Sequence, residues 1–212
     1  MTEPESVTDR LTEAALTLAD ERGWQALAMV DVAKRADVPL LDCYRIFPDK
    51  AALLCRLLAA TDEAVLRDGA ADPEEAPRDR LFDVVMRRFD ALQARRPGTV
   101  AILRDLPFDP ASVARLLPRL ARSLVWVLES AGVSTIGLPG ALRVKGLGVV
   151  YLYALRAWID DDTPDMARTM AALDRALRNA ERLARRLPSG RQHAEDDSWH
   201  RADIESPAPP SP

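Results

Sequence analysis

The chain has 212 residues, 48% of them hydrophobic, and a net charge of −4. That length suffices for one large helical domain or for a small domain joined to a larger one. The acidic balance excludes a global basic field that would draw the protein to nucleic acid or anionic membrane, so any basic patch must be local.

Residues 1–6 are expected to fray. The first helix is predicted from about Thr8 to Arg22, because Val7, Leu11, Ala14, Ala15 and Leu18 make one stripe at helical spacing. Gly23 suits a left-handed stop, and Trp24 and Leu27 are expected to plug a small core. Val30, Val32, Ala33 and Ala36 mark a short second helix. Proline fixes φ and donates no N–H, so a third short helix is expected to start at Pro39, carrying Leu41, Tyr44, Arg45 and Phe47. Pro48 ends it, and Asp49 can cap a longer helix running to about Asp68.

Gly69 to Pro77 reads as a loop. A helix follows to about Arg95, with Leu81, Phe82, Val85, Phe89 and Leu92 on one face. Arg96-Pro97-Gly98 is read as a break before a short helix from Thr99 to Leu106. The next helix spans about Ala111 to Ala131, with Pro118 expected to kink or split it. Another spans Gly140 to Asp160, where Gly146 and Gly148 leave a groove for close approach of a helix or an acyl chain. The last opens at Pro164 and runs to about Leu187. Its residues Met166, Met170, Leu173, Leu177, Ala180, Ala184 and Leu187 form a seam for a partner helix. The polar, proline-rich residues 188–212 cannot bury enough apolar surface to order themselves. The fold class expected is all-α.

Two short helices meeting at a sharp corner match a helix-turn-helix, whose second helix can enter a DNA major groove. Asp31-Val32-Ala33, Ala36-Asp37-Val38 and Tyr44-Arg45-Ile46-Phe47-Pro48-Asp49-Lys50 resemble the N-terminal domain of TetR-type transcriptional regulators. Upstream, Ala14-Ala15-Leu16 and Glu21-Arg22-Gly23-Trp24 fall where that family has its first helix and glycine stop. The resemblance covers about residues 7 to 68 and implies a three-helix reading domain at 1–48 and a connecting helix at 49–68. It also implies a helical ligand-binding and dimerisation domain at 69–187, and a homodimer that binds operator DNA until a small apolar molecule or lipid releases it. The segment entering the recognition helix is Pro39, Leu40, Leu41, Asp42 and Cys43 where the family usually has small and polar residues. Tyr44, Arg45 and Lys50 are the candidate phosphate contacts. Against DNA binding, residues 1–50 carry six cations and ten acids, a poor balance for phosphate neutralisation.

The second half offers no catalytic constellation, no cofactor motif and no Cys/His cluster with metal spacing. An enzyme is not expected. Phe82, Phe89, Leu103, Trp126 and Tyr151 are candidates to line an apolar ligand pocket, with ordinary core packing as the alternative for each. Tyr151, the run Trp158-Ile159-Asp160-Asp161-Asp162-Thr163-Pro164-Asp165, Thr169 and Leu173-Asp174-Arg175 are similar to the lipid-binding protein of ubiquinone biosynthesis. That TetR-like protein assists a hydroxylase without reading DNA, so a lipid-binding accessory protein is the alternative function. Cys43 and Cys55 make no disulfide framework and suggest a reducing compartment. The start MTEPESVTDR is unlike a signal peptide. Val144 to Tyr153 is too short and too near charged residues to span a bilayer. A cytoplasmic protein without stable membrane insertion is expected.

Overall fold

The computed structural model describes residues 6–186; the expected terminal tail, and Leu187 of the seam, lie outside them. The described residues form helices and no strand, in the order α1 (Val7–Arg22), α2 (Met29–Arg35), α3 (Leu40–Ile46), α4 (Lys50–Arg67), α5 (Pro77–Gln93), α6 (Arg96–Asp105), a 3-10 turn at Leu106–Phe108, α7 (Pro110–Ser130), α8 (Gly137–Ile159) and α9 (Ala167–Arg186).

Two apolar cores hold them. The first gathers Leu11, Ala15, Trp24, Val32, Cys43, Phe47 and Leu53 among the first four helices, with Ile102 of α6 completing it. The second gathers Val65, Val84, Phe89, Leu128, Tyr151, Trp158 and Leu173. Helix α4 runs from one core into the other. Its start is set by Asp49, whose Oδ1 accepts from the Ala52 N–H at 2.8 Å, satisfying one of the orphan donors of a helix N-terminus. Gly23 ends α1 with φ +81°, a backbone state that costs glycine little.

Arg96-Pro97-Gly98 is not a break. These residues form the first turn of α6, where a proline loses no intrahelical hydrogen bond. Gly98 is there because α1 crosses it closely: a Cβ at this position would sit 2.3 Å from the Leu16 carbonyl oxygen. Pro118 likewise lies inside an α7 that continues past it from Pro110 to Ser130.

The last helix begins at Ala167 rather than Pro164, after Met166 adopts φ +51°. The α8–α9 joint is built on Asp161, fully buried. Its Oδ2 accepts from Thr169 N and Oγ1, both at 2.8 Å, and its Oδ1 from Thr163 Oγ1 at 2.6 Å. Arg96 closes the joint from outside, donating to the Trp158 carbonyl at 2.7 Å. The seam of α9 serves this intramolecular packing: Met166, Leu173 and Leu177 are buried in the second core, while Ala184 is exposed. Its partner helix within the chain is α8. The opposite face of α8 leaves Leu138, Leu142, Val149, Leu152 and Tyr153 exposed around Gly146.

Candidate nucleic-acid interface and effector groove

The corner between α2 and α3 is made locally. Asp37 takes φ +50°, a left-handed state that Asp tolerates better than most residues. This turn lets Val38 N–H reach the Ala33 carbonyl at 3.0 Å. Val38 is buried, and Pro39 follows at φ −54° as the N-cap of α3, one residue outside the helix expected to include it. Cys43 and Phe47 anchor α3 inward. A helix pinned on that side turns its opposite face outward. Leu40 (55% exposed), Leu41 (59%) and Tyr44 (64%) occupy that face, with Arg45 beside them. Arg45 Nη1 donates to Asp42 Oδ1 at 3.3 Å, so Asp42 restrains the one guanidinium on this helix.

Lys50 sits differently from the other expected contacts. Its Nζ donates to the Trp24 carbonyl at 2.9 Å and the Gln25 carbonyl at 3.3 Å, and lies 5.1 Å from the Trp24 ring centroid. It ties α4 to the loop after α1. On the neighbouring surface, Arg35 makes a two-pronged pair with Glu21 at 2.8 and 2.6 Å. The hydrogen bond from Arg35 holds the Glu21 carboxyl below its ordinary range.

In the second core the expected pocket residues separate. Phe89 and Tyr151 are buried and stacked, ring centroids 5.7 Å apart, and Trp158 also stacks on Phe89 at 6.3 Å. They fill space rather than line an opening. Phe82 and Leu103 are half-buried at the margin of this core. Trp126 stands apart, 52% exposed on α7.

The open space lies between α4 and α7. A cleft of about 550 Å³ is bordered by Ile46, Phe47, Ala52, Arg56, Arg115 and Arg119. A second of about 240 Å³ adjoins it through Cys55, Ala59 and Arg119, and reaches Asp62, Arg122, Ser123 and Trp126. Arg115, Arg119, Arg122 and Trp126 share one face of α7 at steps of four, three and four. Arg115 pairs with Asp49 and Arg56 with Glu63. At the inner end, Asp62 accepts from Ser123 Oγ at 2.6 Å and from Arg88 Nη1. Arg88 is fully buried, and its Nε and Nη2 have no hydrogen-bond partner among the described residues. Burial opposes its charge, but Tyr151 and Asp62 outweigh this and raise its pKa. Sequence reasoning missed this groove. The arginine spacing on α7 was its one local signal, but nothing local placed α4 opposite.

The described residues, all helical, place a small helix-turn-helix head on a long connecting helix and a larger helical body, the architecture of a helix-turn-helix transcriptional regulator. No model of a protein family matches the chain. The HTH-type transcriptional repressor KstR of Rhodococcus jostii is 30% identical over 151 residues, which are 71% of each chain. The repressor of the same name from Mycolicibacterium smegmatis is 35% identical over 113 residues, 50% of this chain and 52% of that one. A TetR transcriptional regulator from Nitrosomonas europaea superposes with a TM-score of 0.66 at 21% identity, covering 82% of this chain and 97% of that one. One from Rhodococcus superposes at 0.58 and 24% identity, covering 85% and 97%. The chain belongs to the TetR family of helix-turn-helix transcriptional regulators. Among the described residues no helix is long and apolar enough to cross a membrane.

Proposed function

We propose that this regulator is a homodimeric repressor that holds an operator through α3 of each protomer and lets go when a ligand fills the α4–α7 groove. The observation that carries the DNA part is the outward face of α3, where Leu40, Leu41 and Tyr44 are exposed beside Arg45. The relatives' names as repressors support the direction of regulation. The place of action is then the cytoplasm, with the operator.

Two features of α8 support the dimer. It is apolar on its inward side and along an outward stripe of Leu138, Leu142, Val149, Leu152 and Tyr153, and an exposed apolar stripe of that extent marks an interaction surface. At Gly146 an added Cβ would meet nothing within 4 Å, so a partner backbone could lie close there. Two heads related by such an axis would meet half-sites about one helical turn of DNA apart, roughly 34 Å.

The ligand is an apolar small molecule or lipid with an acidic end. Ile46, Phe47, Leu58, Leu66 and Trp126 supply apolar wall, while Arg119 and Arg122 have no acidic partner among the described residues. Its action follows from what borders the groove. A molecule wedged between α7 and α4 competes with the Arg115–Asp49 contact at the start of α4, and Lys50, the next residue, is tied to the reading head. Release requires that the ligand bind the DNA-free arrangement more tightly than the DNA-bound one. The lipid-carrier alternative gains nothing from its signature residues: Trp158, Asp161 and Thr169 join α8 to α9 inside the core.

The test is retention of genomic fragments by the purified protein across a salt series, with native mass spectrometry of the same sample. A dimer selecting a fragment, with log affinity falling linearly in log salt, supports the reading. A protein that carries lipid and retains no DNA at low salt overturns it. Val149→Glu, 71% exposed in the protomer, should yield a folded monomer that no longer selects the fragment.

A further inference from the structure

The reading face of α3 is chemically unusual for a surface meant to touch DNA. Phosphate contacts need cations or hydrogen-bond donors, and base edges are mostly polar. Leu40 and Leu41 provide neither, yet both are more than half exposed at the start of the helix that the fold presents outward. Pressing them against polar base edges would strip water from acceptors and donors without replacing it. One feature of the major groove escapes that penalty: the C5 methyl group of thymine, its apolar landmark.

Resting on the operator-binding reading above, we infer that Leu40 and Leu41 form an apolar reading surface that takes thymine C5 methyl groups in each half-site. The helix geometry makes two rows. Leu40 stands one turn before Tyr44, and Leu41 one turn before Arg45, so each row offers an apolar contact followed by a polar one. Asp42 lies outside both rows and holds Arg45 through Nη1 at 3.3 Å, leaving the other guanidinium donors for a base acceptor or a phosphate. The acidity of the reading head fits this division. A surface short of free cations draws little from phosphate neutralisation, and apolar methyl contacts do not depend on it.

The experiment selects duplexes from a random pool with the full-length protein. It then replaces each thymine of the selected half-site by deoxyuridine, one at a time. This removes the methyl and leaves the pairing and the O4 acceptor. At two positions per half-site, affinity should fall about fourfold, the scale of one buried methyl group. Placing 5-methylcytosine or uracil elsewhere in the site should have no effect. Leu41→Ala, a surface change that leaves the fold intact, should weaken the thymine duplex and erase the thymine–uracil difference at one of these positions, while Leu40→Ala does so at another. A selected duplex that binds equally with uracil throughout overturns this inference and leaves the regulator reading standing. So does a result in which Leu40→Ala and Leu41→Ala alter self-association or protein capture but not DNA affinity. Failure to select any duplex overturns both.

Discussion

Asp49 serves two neighbours at once: its Oδ1 caps α4 through the Ala52 N–H at 2.8 Å, and its Oδ2 receives Arg115 from α7. The hydrogen bond from Arg115 is the largest influence holding this carboxyl below its ordinary range. The two contacts differ in worth. The ion pair is exposed on both sides, and such pairs contribute about 0–1 kcal/mol. The cap contributes about 1 kcal/mol. Asp49→Ala should therefore lower the melting temperature more than Arg115→Ala, and the double variant should melt close to Asp49→Ala. Circular dichroism melts of the three variants check this; equal losses from the two single changes would show that the ion pair, not the cap, holds the start of α4.

Gly98 sets a second prediction, in which two effects oppose each other. Alanine in a helix is favoured over glycine by about 1 kcal/mol, so an exposed site would gain stability. Here the new methyl would fall 2.3 Å from the Leu16 carbonyl oxygen and 2.9 Å from its Cα. Backbone atoms cannot rotate away as a side chain tip can, and overpacking of this kind costs about 1–3 kcal/mol. The clash should win. Gly98→Ala should destabilise the chain and speed amide exchange in α1, measured by mass spectrometry; a stabilised variant would mean that α6 slides freely past α1.

These two sites show where the sequence was legible. The Asp49 cap, the Gly23 stop and the α2–α3 corner were readable because the partners of each motif lie within a few residues. Arg96-Pro97-Gly98 was misread because the local rule for Pro-Gly points to a break, whereas the glycine answers to Leu16, 82 positions away in the chain. The α9 seam illustrates a different limit. Its period correctly marked Met166, Leu173 and Leu177 as covered, but a period reports that a face is buried and not which helix covers it. The groove depends on α4 and α7 lying side by side, and Lys50 turns inward to the Trp24 and Gln25 carbonyls in the loop after α1. Neither relationship leaves a local trace.

The pair of buried Arg88 with half-buried Asp62 joins α5 to α4, with Ser123 of α7 as the third member. Removing one partner of a buried pair leaves an uncompensated charge and costs about 3–5 kcal/mol, whereas replacing both by apolar residues is often neutral. Asp62→Leu should therefore be more damaging than the Arg88→Met/Asp62→Leu double variant, even though the double changes more atoms. Urea unfolding midpoints decide it. A double variant worse than Asp62→Leu would show that Arg88 contributes stability beyond its carboxylate, through its place over the Tyr151 ring, 5.3 Å from Cζ to the centroid.

Acid should act on the α8–α9 joint through Asp161. Burial pushes this carboxyl up, but the donors of Thr163 and Thr169 outweigh it and bring its pKa from 3.8 down to about 2. The unfolded chain thus binds the proton more readily than the folded one. The stabilisation is complete well above pH 3.8, shrinks as pH falls between 3.8 and 2, and is gone below. A shift of this size corresponds to about 2 kcal/mol. Other carboxylates titrate in the same range, so the informative quantity is the difference between the parent and Asp161→Asn. The amide retains one acceptor oxygen but sets an NH₂ group against donors, and it cannot titrate. The parent should lead by about 2 kcal/mol at pH 7, and the gap should close as pH approaches 2. Urea midpoints at pH 7, 4, 3 and 2.5 would follow it. Parallel curves would mean that the joint is held by packing of Trp158 and Met166 and not by the charge on Asp161.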